Sequence, residues 1–188
     1  GQLAGDFRSV DVDGNLCVVV NFDGDMVSID VSDPENPVEL ATFGGAYDAV
    51  VDGSLVYSVW NGISTYDLSD PSTPVLLDNH NETVFNLINM AHDGHLVAGS
   101  SMSDGTAMNG LFIFDISDPT SIVRTGLSLG LSPADDMHFR GGRIVTVRST
   151  GIAVHEIDPS GGTLSLLGDD WPYNFEAVAV HGDLIYAG

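Results

Sequence analysis

The side chains able to do chemistry in this chain are mostly carboxylates, joined by a few histidines. Asp135, Asp136 and His138 stand closest together, and a histidine within two residues of a carboxylate can hold a transition metal or shuttle a proton. Further polar candidates are Asp48, Asn89 and Glu176. The segment Asn21-Phe22-Asp23-Gly24-Asp25 gathers carboxylates that could bind a cation such as calcium, with Asp23 and Asp25 as ligands, or could be a solvated hairpin tip. Asp11-Val12-Asp13-Gly14-Asn15 begins like a calcium loop. It lacks the glycine expected at the sixth position, where Leu16 stands, and the glutamate expected at the twelfth, where Phe22 stands. Turn geometry accounts for it. Nucleophile elbow, phosphate loop, CxxC pair and HExxH pattern are all missing from the sequence, and one cysteine with no lysine excludes thiol relays and lysine Schiff bases.

The elements that must position these groups come from an internal repeat, the first thing to seek in such a chain. Val10-Asp11-Val12-Asp13-Gly14-Asn15-Leu16 returns as Ala49-Val50-Val51-Asp52-Gly53-Ser54-Leu55 and as Met90-Ala91-His92-Asp93-Gly94-His95-Leu96. Two further copies are His138-Phe139-Arg140-Gly141-Gly142-Arg143-Ile144 and Val178-Ala179-Val180-His181-Gly182-Asp183-Leu184. Aligned on Gly14, Gly53, Gly94, Gly142 and Gly182, the repeat has a period near 40 residues. A second mark follows in phase: Asp30-Val31-Ser32-Asp33-Pro34, Asp67-Leu68-Ser69-Asp70-Pro71, Asp115-Ile116-Ser117-Asp118-Pro119 and Glu156-Ile157-Asp158-Pro159. Its recurrence argues for a shared local job, side-chain oxygens accepting backbone N–H bonds where a strand turns, since catalysis rarely needs four copies of one group.

With no long stretch of helical periodicity, each unit reads as four short strands. In the first unit these are Arg8 to Val12, Leu16 to Val20, Met26 to Val31, and a short one near Val38 to Thr42. Asp13-Gly14 supplies the first tight turn, and proline ends the third strand. The expected fold is all-β, a β-propeller with four complete four-stranded blades plus a half blade, as in a fragment of a larger propeller. The chain reads as one partial domain, 1–188, with repeats at about 4–45, 46–82, 83–130, 131–170 and an incomplete 171–188.

Leu55-Val56-Tyr57-Ser58-Val59, Leu184-Ile185-Tyr186-Ala187-Gly188 and the four Asp/Pro segments resemble the LVIVD-repeat β-propellers of bacteria and archaea. The resemblance covers essentially the whole chain. It implies the propeller fold and an extracellular or surface role, and it brings no catalytic motif.

A site should break the repeat rather than obey it. In a propeller the entrances of the first strands line the central channel near one face. There lie Asp6 and Arg8, Asp48, Asn86 and Asn89, Asp135, Asp136 and His138, and Asn174 and Glu176. On the glycine alignment His138 replaces Val10, Ala49, Met90 and Val178, while His92 and Arg140 replace Val12, Val51 and Val180. Another break is the insertion Ser100 to Asn109, where Met102, Asp104, Met108 and Asn109 could edge a binding rim. Asn81-Glu82-Thr83 fits a glycosylation acceptor.

The charge balance is the most unusual bulk property, with 27 acidic residues against 5 arginines and a net charge of -22. Such a surface repels phosphate backbones and anionic headgroups, so nucleic acid is not an expected partner, and no apolar run reaches the ~18 residues that would insert in a membrane. Dense carboxylates suit a saline or calcium-containing setting, which points to an extracellular or cell-surface place, or the cytoplasm of a halophile. Cys17, inside an apolar run, reads as a buried small hydrophobe. The functional expectation is a non-catalytic binding or scaffolding module for a protein, glycan or cation partner. The rival is a metal-dependent enzyme in which Asp48, Asp136, His138 and Glu176 converge on a divalent ion.

Overall fold

The structure is a computed structural model that describes residues 5–81, 86–102, 109–129, 133–148, 151–158, 163–169, 175–182 and 184–188. All regular structure among them is strand. The chain divides into two compact units, Gly1–Thr83 and Val84–Gly188.

The first unit holds two sheets. One is β1 (Phe7–Asp13), β2 (Leu16–Asn21), β3 (Met26–Asp30) and β4 (Val38–Phe43); the other is β5 (Asp48–Asp52), β6 (Leu55–Val59), β7 (Gly62–Asp67) and β8 (Val75–Asn81). Each is an antiparallel meander in sequence order. The predicted strand limits of the first repeat hold to within a residue at each end, because the signals that set them are local. Gly14 and Gly53 take φ of 59° and 60°, as a two-residue hairpin turn requires.

The two sheets pack face to face. Val18, Val20 and Met26 of the first meet Ala49, Val51, Val56 and Leu68 of the second, all nearly inaccessible to water. The second strand of each sheet is covered on both faces, which is why neither alternates: β2 is the apolar run Leu16 to Val20, and β6 buries Val56, Tyr57, Ser58 and Val59 in succession.

The second unit contains β9 (Asn86–Asp93), β10 (Leu96–Met102), β11 (Gly110–Asp115) and β12 (Val123–Leu129), then β13 (Asp136–Arg140), β14 (Arg143–Arg148), β15 (Gly151–Ile157) and β16 (Leu164–Asp169). A two-stranded sheet follows, β17 (Val178–His181) and β18 (Leu184–Ala187). Ala98, Leu111 and Ile113 pack against Met137, Phe139, Ile144 and Ile157. Val145 and Val147 pack against Val178, with Val180 beside them.

The fourth repeat corrects the sequence alignment by one residue. Arg140 pairs with Arg143, so the hairpin turn is Gly141-Gly142, and Gly141 rather than Gly142 is the equivalent of Gly14. Both glycines have positive φ, 61° and 74°, and either can anchor an alignment by identity. A one-residue slip sends every side chain of a strand to the opposite face. Met137, not His138, therefore stands at the position of Val10 and Ala49. His138 takes the place of Asp11, and Arg140 the place of Asp13 and Asp52.

Candidate functional site

The first strand of a sheet has one edge paired to the second strand and one edge open. At the open edge, backbone N–H groups need acceptors from elsewhere. In the first unit the neighbouring sheet supplies them. Asp11 accepts the N–H of Val51 at 2.8 Å, and Asp13 accepts that of Gly53 at 2.8 Å. The Ser9 hydroxyl donates to the carboxylate of Asp48, which also accepts the N–H of Ala49 at 2.9 Å. Ser28, fully buried, donates to the carbonyl of Pro71 across the same seam at 2.6 Å.

The second unit repeats the device with substitutions. Asp93 accepts the N–H of Gly141 at 2.5 Å and lies 3.4 Å from that of Gly142. Asn89 donates to the carbonyls of Ala134 and Asp135 at 2.6 and 3.2 Å. Asp136 accepts the N–H of Met137 in its own strand and the N–H of Val178 in the next sheet, each at 2.8 Å. Carboxylate-to-amide bonds of this kind are roughly twice as strong as neutral ones. These seam bonds join residues 39 to 49 apart in sequence, so no local pattern announces them.

The sequence-predicted site residues can now be placed. Asp48 belongs to the first unit and Asn89, Asp135, Asp136, His138 and Glu176 to the second. Asp48, Asn89 and Asp136 are engaged in the seam bonds just described. Asp135 and Glu176 are exposed, with their backbone N–H groups bonded to the carbonyls of Val147 and Gly188. Asp136 and His138 alternate along β13 and share the face toward β17 and β18. Burial holds the His138 imidazole below its ordinary pKa, Arg140 adds to that, and Asp136 and Asp93 oppose it.

Asp23 and Asp25 are exposed on a hairpin tip whose own bonds close it: Asn21 accepts the N–H of Asp25 at 2.9 Å, and Gly24 has a φ of 96°. Among the described residues, no three His, Cys, Asp or Glu side chains converge as a metal site. The first three Asp/Pro marks do the local work expected of them, whereas Glu156 of the fourth lies 3.8 Å from Arg143. Asp30, Asp67 and Asp115 each accept the N–H two residues on at 2.8 Å, and Asp33, Asp70 and Asp118 do likewise at 2.9 to 3.0 Å. The backbone bonds are the main cause that lowers the carboxyl pKa values of Asp30, Asp70 and Asp115, while for Asp33, Asp67 and Asp118 side-chain bonds from Asn36, Ser69 and Thr120 come first and the backbone bonds second. Pro159, Asn174, Asp104, Met108, and Glu82 and Thr83 of the glycosylation acceptor lie outside the described residues.

Sequence reasoning missed the cationic face of the fourth repeat. With β13 in its true register, His138 and Arg140 point to the same side as Asp136, and together with Arg143 they border a pocket of about 430 Å³ against Val180, Gly182 and Ile185. The signal was present in Arg140-Gly141-Gly142-Arg143, two of five arginines at a turn that opens on aspartate in the first three repeats. Arg8, by contrast, lies over the rings of Phe22 and Tyr47 and donates to the carbonyl of Phe22 at 2.6 Å.

Comparison with known proteins places this geometry in context. The LVIVD repeat pattern matches residues 4–45, 43–82 and 105–126, together more than half of the chain. No curated protein matches it. Among solved structures, a protein from Lactobacillus plantarum is similar with a TM-score of 0.65 and 13% identity, over 90% of this chain and 57% of that one. A putative 6-phosphogluconolactonase from Bacteroides uniformis aligns with a TM-score of 0.70 and 13% identity, over 89% of this chain and 55% of its own. A chain of a nidogen/laminin complex aligns with a TM-score of 0.69 and 11% identity, over 96% and 71%. The chain therefore spans little more than half the length of the first two. At such identities the likeness concerns the fold alone, which is of the β-propeller type.

Proposed function

Because the chain belongs to the LVIVD repeat family, we propose that it is a non-catalytic binding or scaffolding module of a secreted, cell-surface or halophilic protein. The rims of its propeller sheets and its acidic surface would meet a protein, glycan or cation partner. One observation carries this reading. Two of the four carboxylates among the channel-mouth candidates serve the structure, with Asp136 bonded to Met137 and Val178 and Asp48 to Ser9 and Ala49. A general base or metal ligand needs its oxygens turned to a substrate or ion. Family membership and the regular seam bonds support a scaffold, and the surplus of negative charge supports a saline or extracellular setting.

The test is a turnover screen of the purified protein against ester, phosphoester and sugar-lactone substrates, the last because one structural neighbour is described as a putative lactonase. Background rates, unchanged in His138→Ala and after adding calcium, manganese or zinc, are expected. Turnover abolished by His138→Ala or dependent on one of those metals would overturn the reading.

A further inference from the structure

The seam bonds of the first unit provide an internal standard for the seam between the β13–β16 sheet and β17. In the first unit, Asp11 and Asp13 deliver carboxylates to the N–H groups of Val51 and Gly53. Hairpin register makes Val180 and Gly182 the equivalents of Val51 and Gly53, and His138 and Arg140 the equivalents of Asp11 and Asp13. An arginine accepts no hydrogen bond, and a histidine offers at most one ring nitrogen. Among the described residues no side chain is bonded to the N–H of Val180 or Gly182, while the third bond of the seam, Asp136 to Val178, is kept. Leu16, the apolar neighbour of the turn, is likewise replaced by Arg143.

Compared with the seam of the first unit, this seam has an imidazole and a guanidinium where the other has two carboxylates, with a second guanidinium at the hairpin's other end, and a pocket of about 430 Å³ lies at that point. Glu156 also borders the pocket, 3.8 Å from Arg143, and partly offsets that arginine. Arg140 is exposed and approachable from solvent. Three of the five arginines of this strongly acidic chain, Arg140, Arg143 and Arg148, lie on β13 and β14. Two of them, Arg140 and Arg143, border the pocket, with Glu156 as the carboxylate of its lining.

We propose that this pocket binds a small organic carboxylate, whose oxygens take the place of the missing Asp11- and Asp13-type acceptors on the N–H groups of Val180 and Gly182 while Arg140 holds its charge and His138 donates to it. The guanidinium fork matches a carboxylate in plane and in charge, and the imidazole N–H donates one further hydrogen bond. A ligand with two carboxylates a few carbons apart can meet both positions, which lie two residues apart on one strand, about 7 Å. The site goes beyond the scaffolding reading and does not depend on it, since the experiment reads binding and not turnover.

Glutarate, acetate and inorganic phosphate are titrated into the whole chain, followed by calorimetry and by amide NMR signals. Glutarate is expected to saturate with a dissociation constant on the order of 1 mM, shifting the amides of Val180 and Gly182, with acetate weaker and phosphate weaker still. Arg140→Gln lowers glutarate affinity about tenfold or more. His138→Asp restores the internal acceptor, so it abolishes binding and raises the melting temperature by about 2–4 °C, an outcome that loss of folding cannot imitate. Arg8→Gln, on the first sheet, leaves affinity unchanged. The proposal falls if glutarate produces no saturable shift at those two amides, if Arg140→Gln binds as well as the parent, or if phosphate binds as tightly as glutarate.

Discussion

Replacing Asp11 by alanine removes the acceptor from the N–H of Val51 while leaving both sheets of the first unit otherwise intact. Val51 is only 4% exposed and the bond is 2.8 Å long, so water cannot fully compensate the lost partner. Leaving such a donor unsatisfied costs about 1–3 kcal/mol. Against this stands relief of repulsion in a chain of net charge -22. Removing one charge about 10 Å from another in water yields only about 0.4 kcal/mol, and screening at 0.1 M salt cuts that to about 0.15 kcal/mol. Several such neighbours do not cancel the hydrogen bond. A net loss of about 1–2 kcal/mol remains, which for a chain of this size lowers the melting temperature by about 3–6 °C. Asp11→Asn keeps a neutral acceptor and should lose about half as much, since charge-assisted bonds are about twice as strong as neutral ones. The assay is thermal melting by circular dichroism, joined to hydrogen exchange at Val51, whose amide should exchange faster in Asp11→Ala than in the parent. A melting shift no larger than that of Asp25→Ala, at the exposed hairpin tip, with unchanged exchange at Val51, would refute the claim that seam carboxylates hold neighbouring sheets together.

Three further outcomes follow from the same structure. His155 is 2% exposed, neither ring nitrogen has a partner among the described residues, and burial first and Arg148 second depress its pKa against the opposing pull of Asp169. The unfolded chain therefore binds a proton there that the folded chain refuses. Stability contributed by the neutral ring is present above the ordinary histidine pKa of about 6.5 and declines as pH falls below it. His155→Phe, which copies Phe114 at the same place in the third repeat, should flatten the melting temperature between pH 7 and 5, about the range of that titration. Gly44 has a φ of 52°, and a Cβ there would lie 2.5 Å from the Tyr66 hydroxyl and 2.7 Å from Met26 Cε, so Gly44→Ala should cost about 2–4 kcal/mol in chemical denaturation. Cys17 is 8% exposed, and burial with the nearby Asp11 charge pushes its thiol pKa up. Ellman's reagent at mildly alkaline pH should label it slowly in the native protein and at once in denaturant.

Much of the fold is legible in the sequence because its determinants are local. Asp13-Gly14 and Asp52-Gly53 mark turns through backbone stereochemistry, and the apolar run of β2 marks a strand covered on both faces. The fourth repeat is misread at Arg140-Gly141-Gly142-Arg143 because two adjacent glycines fit the turn equally well by identity. Only the pairing of Arg140 with Arg143 decides between them. That single residue moves His138 from the place of Val10 to that of Asp11, and Arg140 from the place of Val12 to that of Asp13. The roles of Asp11, Asp93 and Asp136 are illegible for another reason. Each serves an amide some forty residues away, and the partner is a backbone group that carries no residue-type signature.

The Asp11, Asp13, Asp93 and Asp136 bonds all run in one sense: the carboxylate sits on the earlier sheet and the amide on the later one. A unit so equipped has a head and a tail. Tandem duplication in frame places a ready acceptor beside a ready donor without compensating change, whereas an inverted or half-length insertion sets like against like. Directionality of this kind lets an array lengthen by copying while the order of its modules stays fixed.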